Sequence, residues 1–244
     1  MSKPKPVLHT CFSPALLHLY DVTDTIVVVI DVFRATSTIA AALHNGARYV
    51  IPVDSVPEAV EISRTTGGIA AGERDGRIAE GLQYGNSPFE YPREFIEGKI
   101  LVLTTTNGTR LLHLARERGA ATIITGSFPN LSAVCRYLTA QGKNVLLGCA
   151  GWKDRFNMED MIFAGAVISQ VKEHFTIHCD SSQTACMMYE QHRHRIHEMA
   201  KGFTHYHRLV DRFGLIEDIA FCLTPDVADV LPVYVNNRLE AAKV

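Results

Sequence analysis

Thr25-Ile26-Val27-Val28-Val29-Ile30-Asp31-Val32-Phe33-Arg34-Ala35-Thr36-Ser37-Thr38 is the stretch that decides the fold class. A run of β-branched residues with no polar alternation fits a strand buried on both faces, as parallel strands are. It stops abruptly at an acid, a base and three hydroxyls, so the strand's carboxyl end opens onto polar chemistry. In open α/β sheets that end is where ligands bind. A second junction of the same kind follows at Lys99-Ile100-Leu101-Val102-Leu103-Thr104-Thr105-Thr106-Asn107-Gly108-Thr109-Arg110.

The likeness extends outward from both junctions. The first helical segment ends at Asn45-Gly46-Ala47 and the second at Arg118-Gly119-Ala120. Each is followed by a strand, Tyr49-Val50-Ile51-Pro52-Val53 or Thr122-Ile123-Ile124-Thr125, and then by a Ser-containing turn that opens another helix. Two βαβα units result, over about 25–64 and 99–142, in the pattern of an internal repeat. Gly after helices and Ser or Asp before them also recur in unrelated βαβ units, so the pattern admits that reading too. Around the units, residues 7–20 hold a short strand and turn, and 65–98 read as Gly-rich and irregular. Residues 143–174 add a third strand, a polar loop and a helix. From about Thr176 the chain reads as helical and charged, until a last strand near Val233-Tyr234-Val235. With no low-complexity linker, a single domain over 1–244 is expected. Its predicted class is α/β, a three-layer α/β/α fold whose sheet is built from repeated βαβα units with pseudo-symmetric lobes.

Composition narrows the function. The chain has 244 residues, 47% of them hydrophobic, enough for a sizeable core. A formal charge of −2 leaves no basic stripe for a phosphate backbone, so no nucleic-acid partner is expected. There is no apolar run of the ~20 residues a membrane span needs. Met1-Ser2-Lys3-Pro4-Lys5-Pro6 leads into no signal-like stretch, and the expected location is cytoplasmic. Six cysteines without a CxxC pair read as reduced thiols. Cys149, at a strand end, is read as a core residue in the absence of a base that would activate it.

The candidate chemistry lies at presumptive strand ends. Asp31 is aimed into a site by its place at the end of a parallel strand, and Arg34 follows it. Gly72-Glu73-Arg74-Asp75-Gly76 sets a carboxylate and a guanidinium between glycines, and Gly85-Asn86-Ser87-Pro88 offers amide, hydroxyl and backbone donors. Both also read as ordinary turns. Thr36, Ser37, Asn86, Ser87, Thr105, Thr106, Asn107, Gly108, Thr109 and Arg155 make up an inventory suited to an oxyanion. Beyond the third strand, Asn157 caps a helix whose first turn carries Glu159 and Asp160. Adjacent carboxylates there either complement the helix dipole or help to hold Mg²⁺, which takes one or two carboxylates and keeps several waters.

The ordered set Ile30-Asp31-Val32-Phe33-Arg34-Ala35-Thr36-Ser37-Thr38, Gly72-Glu73-Arg74, Gly85-Asn86-Ser87-Pro88, Thr105-Thr106-Asn107-Gly108-Thr109 and Cys149-Ala150-Gly151-Trp152 with Glu159-Asp160 resembles the 2-phosphosulfolactate phosphatases of coenzyme M biosynthesis. The resemblance implies a Mg²⁺-dependent phosphatase that hydrolyses (2R)-phospho-3-sulfolactate to 3-sulfolactate and phosphate. Its implied catalytic residues are Asp31, Arg34, Glu73 and Arg74, and its implied metal carboxylates are Asp31, Glu73, Glu159 and Asp160. The expected partner is a small anion bearing phosphate, sulfonate and carboxylate. Another phosphorylated hydroxy acid is the alternative substrate, and a non-catalytic anion-binding module the alternative function. Against the latter, the acids would repel an anion unless a metal intervened. The segment from Phe175 to Arg208 departs from the pattern with His178, His192, His194, His197, His205 and His207. It reads as a solvated helix face or homo-oligomer contact, or else as a metal site or an addition to the anion's mouth.

Overall fold

Ten strands form one sheet among the described residues, 4–242 of a computed structural model. The expectation that no signal-like stretch begins at Met1-Ser2-Lys3 falls on residues outside that range. The strands are β1 (Leu8–Cys11), β2 (Thr25–Ile30), β3 (Tyr49–Val53), β4 (Ile69–Arg74), β5 (Arg77–Ile78), β6 (Ile100–Thr104), β7 (Thr122–Gly126), β8 (Asn144–Cys149), β9 (Leu231–Val235) and β10 (Arg238–Ala242). Their order is β1-β8-β2-β7-β9-β10-β3-β6-β4-β5. β1, β8, β2 and β7 are parallel neighbours, as are β3, β6 and β4. The antiparallel hairpin β9–β10 joins these two parallel blocks, pairing β7 on one side and β3 on the other. Apart from the outermost pairs, strand senses follow the same sequence from either end of the sheet.

The helices are α1 (Ala35–His44), α2 (Val56–Thr66), α3 (Arg93–Ile96), α4 (Gly108–Glu117), α5 (Leu131–Gln141), α6 (Met158–Val171), α7 (Asp180–His192), α8 (Ile196–Ala200), α9 (Thr204–Phe213) and α10 (Ile216–Cys222). The period of two along each strand sorts them into layers. Val27 and Val29 of β2, with Leu101 and Leu103 of β6, face a core shared with α1 and α4. Ile26, Val28 and Ile30 face the opposite side, where α5 and α6 pack. Ile100 and Val102 face Ala59 and Ile62 of α2. Helices therefore cover both faces of a mixed sheet, which is the three-layer α/β class. Each such apolar side chain, once buried, stabilises the fold by ~1.5–3 kcal/mol.

The segments that follow the two junctions share local structure in detail. α1 and α4 are each ten residues long, β3 and β7 each five, and one constant offset carries both pairs onto each other end for end. Both helices stop in the same way. Ala47 N–H donates to the Ala42 carbonyl and Ala120 N–H to the Ala115 carbonyl, each at the far side of a glycine, Gly46 or Gly119, at positive φ.

One expectation is corrected here. Residues 65–98 are not wholly irregular, because they contain β4, which lies parallel to β6, and the short β5. Among the described residues, no helix is long and apolar enough to cross a membrane.

Candidate active site

The carboxyl ends of β2, β4 and β6 meet the loop after β8 and the start of α9 around one cleft. Asp31, Phe33 and Arg34 enter it from the β2–α1 turn, Glu73, Asp75 and Gly76 from the β4 end, and Thr106 and Asn107 from the β6 end. Asn86, Trp152, His205, Arg208 and Leu209 complete its wall.

Asp31 is the group most perturbed by this setting. It is 7% exposed. Burial pushes its carboxyl up to about 7, helped by the nearby carboxylates Glu73 and Glu159, while His205 pulls it back. Its surroundings are tight: a Cβ built on Gly108, the first residue of α4, would lie 2.9 Å from Asp31 Oδ2. Glycine at that point is what allows the second junction to close over the acid of the first.

The other charges are held by specific partners. Arg34 forms a buried ion pair with Asp218 of α10 and donates to the Gly76 carbonyl at 3.3 Å. Glu73 accepts from both the N–H and the hydroxyl of Thr106, at 3.0 and 2.9 Å, and from Gly76 N–H at 2.9 Å. His205 Nδ1 donates to Glu159 Oε1 at 2.6 Å, with its ring edge-on to Phe33. Glu159 Oε2 is buried with no hydrogen-bond partner, as is Asn86 Oδ1.

A family model described as 2-phosphosulpholactate phosphatase matches residues 11–237 of this chain. The chain belongs to that family. A protein of Caldanaerobacter subterraneus subsp. tengcongensis is 39% identical over 227 residues, which are 91% of this chain and 93% of the relative. One from Thermotoga maritima is 43% identical over 209 residues, covering 86% and 88% of the two chains, and one from Synechocystis sp. is 38% identical over 216 residues, with the same coverage. All three bear the name "probable 2-phosphosulfolactate phosphatase". The family description is that of a phosphoric monoester hydrolase, and the matched span holds every residue of the cleft.

Not all residues expected at the family's site reach the cleft. Arg74 turns away from it, donating to the Glu73 carbonyl at 2.6 Å and to Thr104 Oγ1 at 3.0 Å, so it ties β4 to β6. Thr36 and Ser37 donate their hydroxyls to the carbonyls of Asp31 and Val32, both at 2.9 Å, and shape the turn beneath the acid. Thr105 and Thr109 pair with each other at 3.2 Å inside a separate apolar cavity between β6 and the two helices. Ser87 donates to Asp218 Oδ1 at 2.9 Å and so steadies the partner of Arg34. Arg155 is exposed, in a tight turn whose backbone pairs it with Trp152.

Asp160 also departs from its expected place among the metal carboxylates. Its two oxygens accept from Val32 N–H at 2.9 Å and Gly151 N–H at 3.0 Å, stitching the ends of β2 and β8 together. Cys149 is a core thiol, pushed well up by burial first and then by Asp160. The departing segment supplies two cleft residues, His205 and Arg208, that nothing in its sequence distinguishes from its other histidines and arginines. They lie three apart on α9, which turns both toward one side. His207 instead pairs with Asp211 at 2.9 Å on the exposed face.

Mg²⁺ would have to draw on these carboxylates. Among the described residues, no three His, Cys, Asp or Glu side chains are close enough to enclose a metal by themselves. Glu73 of the cleft and the buried Glu159 nevertheless lie near enough to raise the proton affinity of Asp31, and Glu159 keeps an unpartnered oxygen. That donor set suits a hard cation that retains part of its water shell.

Proposed function

We propose that the chain is a Mg²⁺-dependent phosphatase hydrolysing (2R)-phospho-3-sulfolactate to 3-sulfolactate and phosphate. The observation that carries this reading is the meeting of Asp31, Arg34, Glu73 and His205 in one cleft of a chain belonging to this family. Glu73 and the free Oε2 of Glu159 would hold Mg²⁺, with water completing the shell and Asp31 left to act on the attacking water. When bound, Mg²⁺ neutralises charge on the phosphoryl oxygens.

The protein's own groups do the rest. Arg34, fixed by Asp218 and the Gly76 carbonyl, has guanidinium donors left for the phosphoryl group. The buried Asn86 side chain, its Oδ1 unpartnered, adds a polar contact on the same wall. Water attacks phosphorus as Asp31, which enters the cleft from the end of β2, takes its proton. The bond from phosphorus to the ester oxygen breaks, and His205, oriented through Nδ1 by Glu159, gives a proton to the departing alkoxide. The test is phosphate release from phosphosulfolactate by the full chain, with Mg²⁺ and then with excess EDTA. Release that EDTA stops and added Mg²⁺ restores is the expected result. No release under either condition, with 3-sulfolactate still bound tightly, would leave only an anion-binding module.

A further inference from the structure

Most charges that line the cleft have a direct partner. Arg34 has Asp218, His205 has Glu159, and Asp75 lies 3.9 Å from Lys153. Arg208 is different. Among the described residues it makes no ion pair and no hydrogen bond, although it lines the cleft and is half-buried. Its contact is with an aromatic ring: the guanidinium carbon lies 3.9 Å from the Trp152 ring centroid, while Lys153 Nζ lies 4.6 Å from the same ring. Its neighbour Leu209 is buried in the main core, which fixes how α9 is rotated and therefore where Arg208 is delivered.

A guanidinium lying on an indole has one face covered and its N–H edge open. Burial lowers its proton affinity, as removal from water does for a cation without a contacting carboxylate. A planar, weakly hydrated donor with no answering acceptor is a receptor for an oxyanion that arrives with the ligand. In phosphosulfolactate the carboxylate shares its carbon with the phosphate ester, so it stays beside the phosphoryl group, near Asp31 and Arg34. The sulfonate is one carbon further out. It is the group that can reach α9 while the phosphoryl group stays at the β2 end.

We propose that Arg208, held against the ring of Trp152, is a specificity-determining residue that binds the sulfonate of the substrate. This rests on the function proposed above, and the test separates the two. kcat/KM is measured on phosphosulfolactate and on phospholactate, which lacks only the sulfonate, for the wild type, Arg208→Lys and Arg208→Leu. Calorimetry with 3-sulfolactate is run in parallel. Arg208→Leu is expected to lose about 100-fold on phosphosulfolactate, mostly through KM, and at least about tenfold less on phospholactate, with Arg208→Lys between. Trp152 acts through Arg208 as a positioning residue. Trp152→Leu should show the same substrate-dependent loss, and Trp152→Phe should recover part of it. By calorimetry, 3-sulfolactate should bind Arg208→Leu at least about tenfold more weakly. Equal losses on both substrates, or a larger loss on phospholactate, would overturn the assignment. If the wild type hydrolyses neither substrate, the proposed function fails on its own. The calorimetric arm then decides Arg208, and binding within about twofold of wild type counts against it.

Discussion

The β2–α1 and β6–α4 junctions open helices of the same length, each followed by a strand at the same offset, and carry opposite chemistry. Superposing α1 on α4 by their common offset sets Thr104 opposite Asp31, Asn107 opposite Arg34, Gly108 opposite Ala35 and Thr109 opposite Thr36. The first junction carries a buried acid and a buried base. The second carries no charge at these positions and does the positioning: Thr106 fixes Glu73, and Gly108 leaves room for Asp31. A scaffold present twice thus supplies reactive groups from one copy and their placement from the other. The two copies can do this because their helix N-termini meet over the same carboxylate.

The sharpest way to break that comparison is to neutralise each side in turn. Asp31→Asn should lower kcat/KM for phosphate release by ~10³-fold, within the range for loss of a positioned acid–base group. Thr104→Val keeps the shape and removes only the acceptor for Arg74, so it should cost less than about tenfold. Equal losses would mean that the junctions share the chemistry. Next in size is the ion pair. Asp218→Asn strands the buried Arg34 charge and should destabilise the fold by ~3–5 kcal/mol in urea titrations. Asn107→Ala, at the position opposite Arg34, should cost under ~1 kcal/mol, since Asn107 makes no side-chain cap and only accepts from Lys153 N–H.

A third test uses pH in metal-free protein. Asp31 goes from 3.8 in the unfolded chain to about 7 in the fold, so the folded state holds the proton more tightly. Stability attached to Asp31 is therefore complete below about pH 4 and is lost as pH rises through about 7. In EDTA, Asp31→Asn should melt above wild type at about pH 8, by the equivalent of ~1–4 kcal/mol, and match it near pH 4. The smallest effect is expected from exchanging the two helix-opening residues. Gly108→Ala pushes a methyl group onto Asp31 Oδ2 and should destabilise by ~1–3 kcal/mol with a measurable fall in kcat. Ala35→Gly should cost only ~0.5–1 kcal/mol, and a fall in kcat as large as that of Gly108→Ala would contradict the assigned roles.

The units over 25–64 and 99–142 were legible because β-branched runs, glycine helix ends and Ser turns are local signals. β4 was not, since Ile69-Ala70-Ala71-Gly72-Glu73-Arg74 carries little strand signature. Its glycine is needed because a Cβ on Gly72 would come within 2.4 Å of the Thr104 carbonyl oxygen, a contact that exists only after the strands have paired. At the site, residue types were readable and directions were not. Glu159 and Asp160 are neighbours in one helical turn, and the ~100° between successive helix positions sends one to His205 and the other to backbone N–H groups. A hydroxyl beside a strand end looks the same in sequence whether it lines the cleft and fixes Glu73, as that of Thr106 does, or holds its own turn, as that of Thr36 does. His205 and Arg208 lie too far along the chain for any local pattern to join them to Asp31. What places them is the packing of α9.

The β9–β10 hairpin is the last pair of strands among the described residues and lies at the middle of the sheet. On a ribosome, which delivers a chain from its N-terminus at ~5–20 residues per second, both parallel blocks would emerge before the piece that joins them. The two blocks would have to wait with facing strand edges exposed. A chain stalled after β8 would be left with two open sheet edges, and such edges are sites of pairing with other chains. For this fold, delivering the β9–β10 hairpin and sealing the sheet are the same event.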